Sequence, residues 1–133
     1  MKINNFFVIV LLVLIASCSN AIDADILYGK WDYIAVENFN PPDSIARHEI
    51  IKQAPSILFS KGNKLVIEWG GKQISHGTYT MDGKMIRYTE FLEGGIKREF
   101  PFLIKELSEK ELVFQTMEQN YTLVKAKKNA NSF

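Results

Sequence analysis

The chain has 133 residues with sixteen Lys and Arg against fifteen Asp and Glu, a formal charge of +1. That balance offers no cationic surplus to neutralise a nucleic-acid backbone or read an anionic membrane surface. One cysteine excludes an internal disulfide, and the length excludes solenoid arrays and multidomain enzymes, so the fold has to rest on a single apolar core.

The first element in chain order is a targeting segment. Lys2 is followed by the uncharged apolar run Phe6 to Ala16, eleven residues long. A membrane span needs about 20 apolar residues, whereas a secretory h-region takes about 7–15. A buried core helix is excluded by the missing polar stripe and by the polar stretch from Ser19 to Asp25. The run closes in Leu14-Ile15-Ala16-Ser17-Cys18, an aliphatic residue and two small ones before the cysteine. This resembles the lipobox of bacterial lipoprotein signal peptides. The resemblance implies cleavage after residue 17 and a lipid on Cys18, hence a protein anchored in the cell envelope, with the outer membrane favoured over the inner. Multiple acyl chains give the stable attachment that a single chain does not. Without Lys2 the mature chain is formally neutral, with fifteen charges of each sign.

The expected organisation is a signal peptide over 1–17, a lipidated tether over 18–25, a barrel over 26–127 and a polar tail over 128–133. The first mature element is a strand from about Ile26 to Glu37, with Leu27, Gly29, Trp31, Tyr33 and Ala35 on one face. Asn40-Pro41-Pro42-Asp43 then predicts a helix start, with Asn40 as N-cap and Pro41 at the first helical position. That helix would run to about Gln53, keep Ile45, Ile50 and Ile51 on one broad face, and stop before Pro55.

From Ser56 the chain reads as strands with turn punctuation: 56–60, 65–69, 73–81, 84–90, 96–107, 111–117 and 119–127. Asp82-Gly83 is a strong two-residue hairpin signal, and Pro101 predicts a bulge or an edge position. With the opening strand this makes eight, joined by short turns except where the helix intervenes. Short connections make sequential strands antiparallel neighbours. The expectation is an all-β, eight-stranded antiparallel up-and-down barrel with one short helix between the first two strands. A two-sheet sandwich is the alternative, but it usually needs longer crossovers.

Gly29-Lys30-Trp31 resembles the Gly-x-Trp signature of lipocalins, whose tryptophan packs across the closed end of the barrel. The hairpin Gly77 to Lys84 and the closing pattern Glu111-Leu112-Val113-Phe114 to Tyr121-Thr122-Leu123-Val124 are similar to those of bacterial lipocalin-like domains. The resemblance covers roughly Ile26 to Lys127. It departs from the family in three places: there is no Thr-Asp-Tyr motif, no C-terminal helix, and no arginine on the last strand to stack on Trp31, where only Lys125 and Lys127 are at hand.

Catalysis is not expected. His48 and His76 are far apart, no further histidine or cysteine completes a zinc site, and no nucleophile motif of the Gly-x-Ser-x-Gly kind occurs. No metal and no cofactor are implied. Glu68, Glu90 and Glu99 carry no cue of a glycosidase pair.

Strand parity places Trp31, Tyr33, Ile57, Phe59, Leu65, Ile67, Trp69, Tyr79, Ile86, Tyr88, Phe100, Phe102, Ile104, Leu112, Phe114 and Leu123 inside. These residues form a core first. Within that set Trp31, Tyr33, Trp69, Tyr79, Tyr88, Phe100 and Phe102, with Arg98 on the same row, are the candidates to line a ligand pocket. Arg98 would hold the head of a fatty-acid-like anion through a charge-assisted pair. The expected function is binding of a small apolar or amphipathic molecule; the alternative is a non-catalytic interaction or structural module with a filled barrel.

Overall fold

The computed structural model describes residues 24–39, 42–117 and 122–131. The expected signal segment, Cys18, most of the tether, the expected N-cap Asn40 and Pro41 lie outside the described residues. Nine strands and one α-helix are found among those described: β1 (Gly29–Phe39), β2 (Pro42–Ser44), α1 (Arg47–Gln53), β3 (Ser56–Ser60), β4 (Lys64–Trp69), β5 (Lys72–Asp82), β6 (Met85–Phe91), β7 (Lys97–Leu107), β8 (Glu111–Thr116) and β9 (Thr122–Lys128). A short 3-10 turn, Ala24–Leu27, precedes β1. The chain meanders β1-β3-β4-β5-β6-β7-β8-β9, and β9 returns to pair with β1. Every pairing is antiparallel. This closes an eight-stranded barrel, and β2 is a short ninth strand hydrogen-bonded only to β1. Closure removes the free edges that an open sheet of this length would expose.

The barrel has two distinct ends. At the N-terminal end β1 begins, β9 finishes, and the β3–β4, β5–β6 and β7–β8 turns gather. Gly29 opens β1 at φ 127°, a region that a side chain rarely tolerates, and the bend lets the 3-10 turn fold under the barrel. Leu27 and Trp31 are fully buried there, and the Trp31 indole Nε1 donates to the Leu27 carbonyl at 2.9 Å. Lys128 Nζ lies 4.6 Å from the centre of the Trp31 ring and donates to the Ile26 carbonyl at 2.9 Å. The stacking cation is therefore Lys128, one residue into the stretch read as tail, and neither Lys125 nor Lys127. Their register explains it: Lys128 is the residue opposite Trp31, and cross-strand partners share a face. Burial pulls the Lys128 ammonium below its usual pKa, against an opposing effect of Glu109.

The other end holds α1, the β4–β5 turn and the β6–β7 connection; we call it the helix end. The helix is shorter than its sequence predicts. Residues 42–44 pair with 37–39 as a hairpin, so Pro42 and Asp43 belong to an edge strand, where a missing N–H is tolerated. The helix begins at Arg47 with Ala46 as an uncapped N-cap, and Ala54 ends it at φ 44° with its N–H on the Ile50 carbonyl. Ile50 is buried in the core, but Ile51 is 71% exposed, so the expected shared face is split.

Two parity expectations change. A bulge between Tyr33 and Ala35 makes Val36 the next buried residue, displacing Ala35 from the inner row. In β9 the buried residues are Val124 and Ala126. Leu123 pairs with Glu37 and Gln115 on the outer face, not the inside. The hairpin pair is Gly83-Lys84 between Asp82 and Met85, one residue later than Asp82-Gly83; Gly83 takes the positive φ at the first turn position. Pro101 sits at a local edge, since it pairs with Arg87 of β6 whereas the β7 ladder with β8 begins only at Phe102.

Candidate functional site

The inward rows of the barrel are filled by rings. Phe59 meets Tyr79 edge-on at 5.2 Å toward the N-terminal end. A second series runs Tyr33–Phe114 at 6.0 Å, Phe114–Phe102 at 5.3 Å, Phe102–Phe100 at 5.3 Å and Phe102–Tyr88 at 5.8 Å. These edge-on, tilted and stacked contacts are the favoured geometries of packed aromatics. Of the candidate residues, Tyr33, Trp69, Tyr88, Phe100, Phe102 and Arg98 thus gather in the helix-end half. Trp31 and Tyr79 belong to the N-terminal core and stand apart. Burial pushes Tyr79 and Tyr88 up to about 12, and pushes Tyr33 higher still.

Two features of the helix-end half have the makings of a site. The first is a break in the barrel wall. β1 pairs with β3 only as far as Asp32 and with β2 only from Glu37. Between these stretches the chain before and after α1 spans the gap, with Tyr33 N–H on the Pro55 carbonyl and Ile45 N–H on the Val36 carbonyl. A cleft of about 670 Å³ remains there. Ile34, Ala35, Ile45, Ile51 and Pro55 give it apolar walls, core residues Tyr33, Val36 and Ile50 reach its floor, and Asp32, Glu37, Arg47 and Lys127 stand at its margin. Of the sequence-derived candidates, only Tyr33 lines it. The bulge that displaces Ala35 from the inner row places it beside Ile34 in the cleft wall.

The second feature lies across the barrel, on β5, β6 and β7. Gly77, Tyr88, Glu90, Arg98 and Phe100 are neighbours on the inner row by register. Ser75 donates to Glu90 Oε2 and lies 2.6 Å from the Tyr88 hydroxyl. Because the one Ser75 hydrogen is committed to the carboxylate and Tyr88 keeps its proton at neutral pH, the order is Tyr88 O–H to Ser75 Oγ, then Ser75 O–H to Glu90. The Glu90 side chain is 12% exposed, and its Oε1 faces Arg98 Nη2 at 2.9 Å. The guanidinium is not aligned as a donor, so this buried oxygen accepts no hydrogen bond. Arg98 itself is about half exposed and its Cζ lies 5.1 Å over the Phe100 ring. Gly77 makes room for the arrangement: a Cβ there would fall 1.9 Å from the Thr89 carbonyl oxygen and 3.0 Å from the Tyr88 ring.

Glu90, Ser75 and Gly77 were not among the candidates. The signal for Glu90 was present, since Ile86 and Tyr88 on the inner row carry Glu90 with them by parity. Arg98 has Glu90 opposite it across the β6–β7 pair. A fatty-acid head at Arg98 would therefore have to compete with Glu90. Among the described residues no group of His, Cys, Asp and Glu gathers as a metal site. Comparison with protein-family models, curated proteins and solved structures returns no match for this chain.

Proposed function

We propose that the chain is an envelope lipoprotein, held by a lipid on Cys18, whose barrel binds a small apolar or amphipathic molecule and does not transform it. The observation that supports this best is the 670 Å³ cleft between β1 and α1. Its size falls in the range of small-molecule sites, about 300–1,000 Å³, and its apolar walls with a few polar groups at the margin have the usual composition of such sites. The described residues begin with the 3-10 turn Ala24–Leu27, at the N-terminal end. Six residues from Cys18 reach at most about 20 Å, so an anchor there would keep that end near the bilayer and leave the helix end facing away.

Mass spectrometry of the protein extracted from its native membrane tests the binding. A small molecule is expected with the wild type and not with Ala35→Trp, which fills the cleft from its β1 wall. An extract without a small molecule would overturn the reading. For the anchor, Cys18→Ala is expected to lose incorporation of a radioactive fatty acid and to keep residues 1–17. Label retained by the variant removes Cys18 as the lipid site.

The second reading, a non-catalytic interaction or structural module with a filled barrel, is favoured by a different observation. Phe39, Ile74, Phe91, Leu92, Ile96 and Met117 are exposed, and all lie toward the helix end. Exposed apolar side chains at one end of a small domain suit contact with a partner. This reading expects no small molecule with either protein.

A further inference from the structure

The polar row opposite the cleft has a chemistry of its own. Glu90 is a carboxylate nearly removed from water, and Ser75 fixes its orientation through Oε2. The second oxygen, Oε1, is buried without a hydrogen bond. A buried charge of this kind is held only if a cation stands beside it. Arg98 supplies that cation at 2.9 Å, from a side chain half of which is already in water. Lifting it away returns a guanidinium to solvent and vacates a space of guanidinium size between the carboxylate and the Phe100 ring, over which Arg98 now lies. A carboxylate and an aromatic face together are the recognition elements for an organic cation. The apolar side chains of Leu92 and Ile96 stand exposed on the β6–β7 connection.

We propose that Glu90 is the binding group for the ammonium of a small organic amine, and that Arg98 is a resident cation which the ligand displaces. An anionic head is disfavoured at this position, because it would meet Glu90 as soon as Arg98 turned toward it. The site is separate from the β1–α1 cleft and shares no lining residue with it. The two can therefore fail independently.

Displacement has a distinctive sign. A ligand that competes with an internal group binds more weakly in proportion to the fraction of time its place is free. Removing Arg98 therefore tightens amine binding, whereas removing a true ligand-binding arginine loosens it. The experiment is a nuclear magnetic resonance titration of the intact chain in phospholipid nanodiscs. The probes are n-butylammonium, n-butyrate and n-butanol at constant ionic strength, followed at the Arg98 guanidinium and the amides of residues 88–91. Saturable shifts are expected with butylammonium only. R98A is expected to tighten its binding about tenfold, the gain for a place free one-tenth of the time. E90Q is expected to abolish the preference over butanol, and A35W to leave it unchanged. R98A removes a side chain at an exposed rim, so its titration decides the question even if E90Q does not fold. Weaker or unaltered amine binding in R98A, a preference for butyrate, or no binding of butylammonium to R98A would each overturn the proposal. Those outcomes leave the cleft untouched, just as loss of the co-purifying molecule in A35W leaves the amine site untouched.

Discussion

At the N-terminal end of the barrel the inward side chains are Leu27, Trp31, Phe59, Leu65 and Ile86, all fully buried. At the helix end β1, β5, β6, β7 and β9 present Asn38, Ser75, Glu90, Arg98 and Thr122, with Asn38 accepting from Thr122. The wall is also different: continuous at the first end, but divided between β1 and α1 at the second. One end thus contributes stability through apolar burial and ring packing. The other holds charged and hydroxyl groups that cost free energy to desolvate and require partners. Such a division is expected where a rigid half supports a half that must admit something. It also predicts where substitutions will be severe and where they will be mild.

The largest effect belongs to Trp31. Trp31→Ala leaves a cavity under the 3-10 turn and should destabilise by about 3–5 kcal/mol. Trp69, half-buried against Tyr33 at the helix end, should cost clearly less as alanine. Urea melts followed by circular dichroism compare the two. Equal costs would erase the distinction between the ends.

Alkali provides the next test, through the three buried tyrosines. A phenol whose folded pKa is raised keeps its proton while the unfolded chain releases one. Its stabilising contribution is therefore complete below the unfolded value near 10 and is lost as pH rises through the folded value. For Tyr79 and Tyr88 that window runs from about 10 to about 12. Stability measured in denaturant at steps of pH should be flat up to pH 9 and fall steeply from pH 10. Tyr88→Phe should make the fall shallower. A fall that begins near neutrality would mean that the phenols are not the groups responsible.

Lys128 tests how the N-terminal end is sealed. Lys128→Met keeps the apolar stem and removes the ammonium from the Trp31 ring and the Ile26 carbonyl. The expected loss is about 1–2 kcal/mol, combining one cation–π contact and one hydrogen bond. Hydrogen exchange at the Trp31 indole N–H should accelerate in the variant. Unchanged exchange would mean that the 3-10 turn is held without the lysine.

Much of this architecture was legible because hairpin turns and two-residue periodicity are local signals. Seven strand positions after Ser56 follow from turn residues, four of the turns with glycine, and from alternating side chains, and Trp31 was recognisable from Gly-Lys-Trp. What was hidden depends on register between strands far apart in sequence. The bulge at Tyr33/Ala35 is fixed by the pairing of β1 with β9, about 90 residues later, so no local pattern discloses it. The β1–β2 hairpin was masked by a proline–acid sequence that suits a helix N-terminus equally well. The Glu90–Arg98 pair needed the register across the β6–β7 connection, which the Glu93-Gly94-Gly95 turn signal left open. For this reason the core was more readable than either candidate site: burial follows each strand's own periodicity, whereas both sites depend on how strands meet.

The smallest effect concerns β9, where parity alone decides. Leu123 is the larger and more apolar residue, and the sequence favours placing it inside. Its partners Glu37 and Gln115 lie on the outer face, whereas Val124 is opposite Val36 and Phe114, both buried. A one-residue shift of parity exchanges the two faces completely. Val124→Thr keeps the shape and puts a hydroxyl among apolar groups, which should cost about 1–3 kcal/mol. Leu123→Thr puts the same hydroxyl at a half-exposed outer position and favours a β-branched strand residue. Its cost should stay within about 0.5 kcal/mol. The two substitutions, measured in the same urea series, form a direct comparison of the faces. If Leu123→Thr is the more damaging, β9 is in the opposite register. Lys128 then no longer faces Trp31, and the account of the sealed end fails with it.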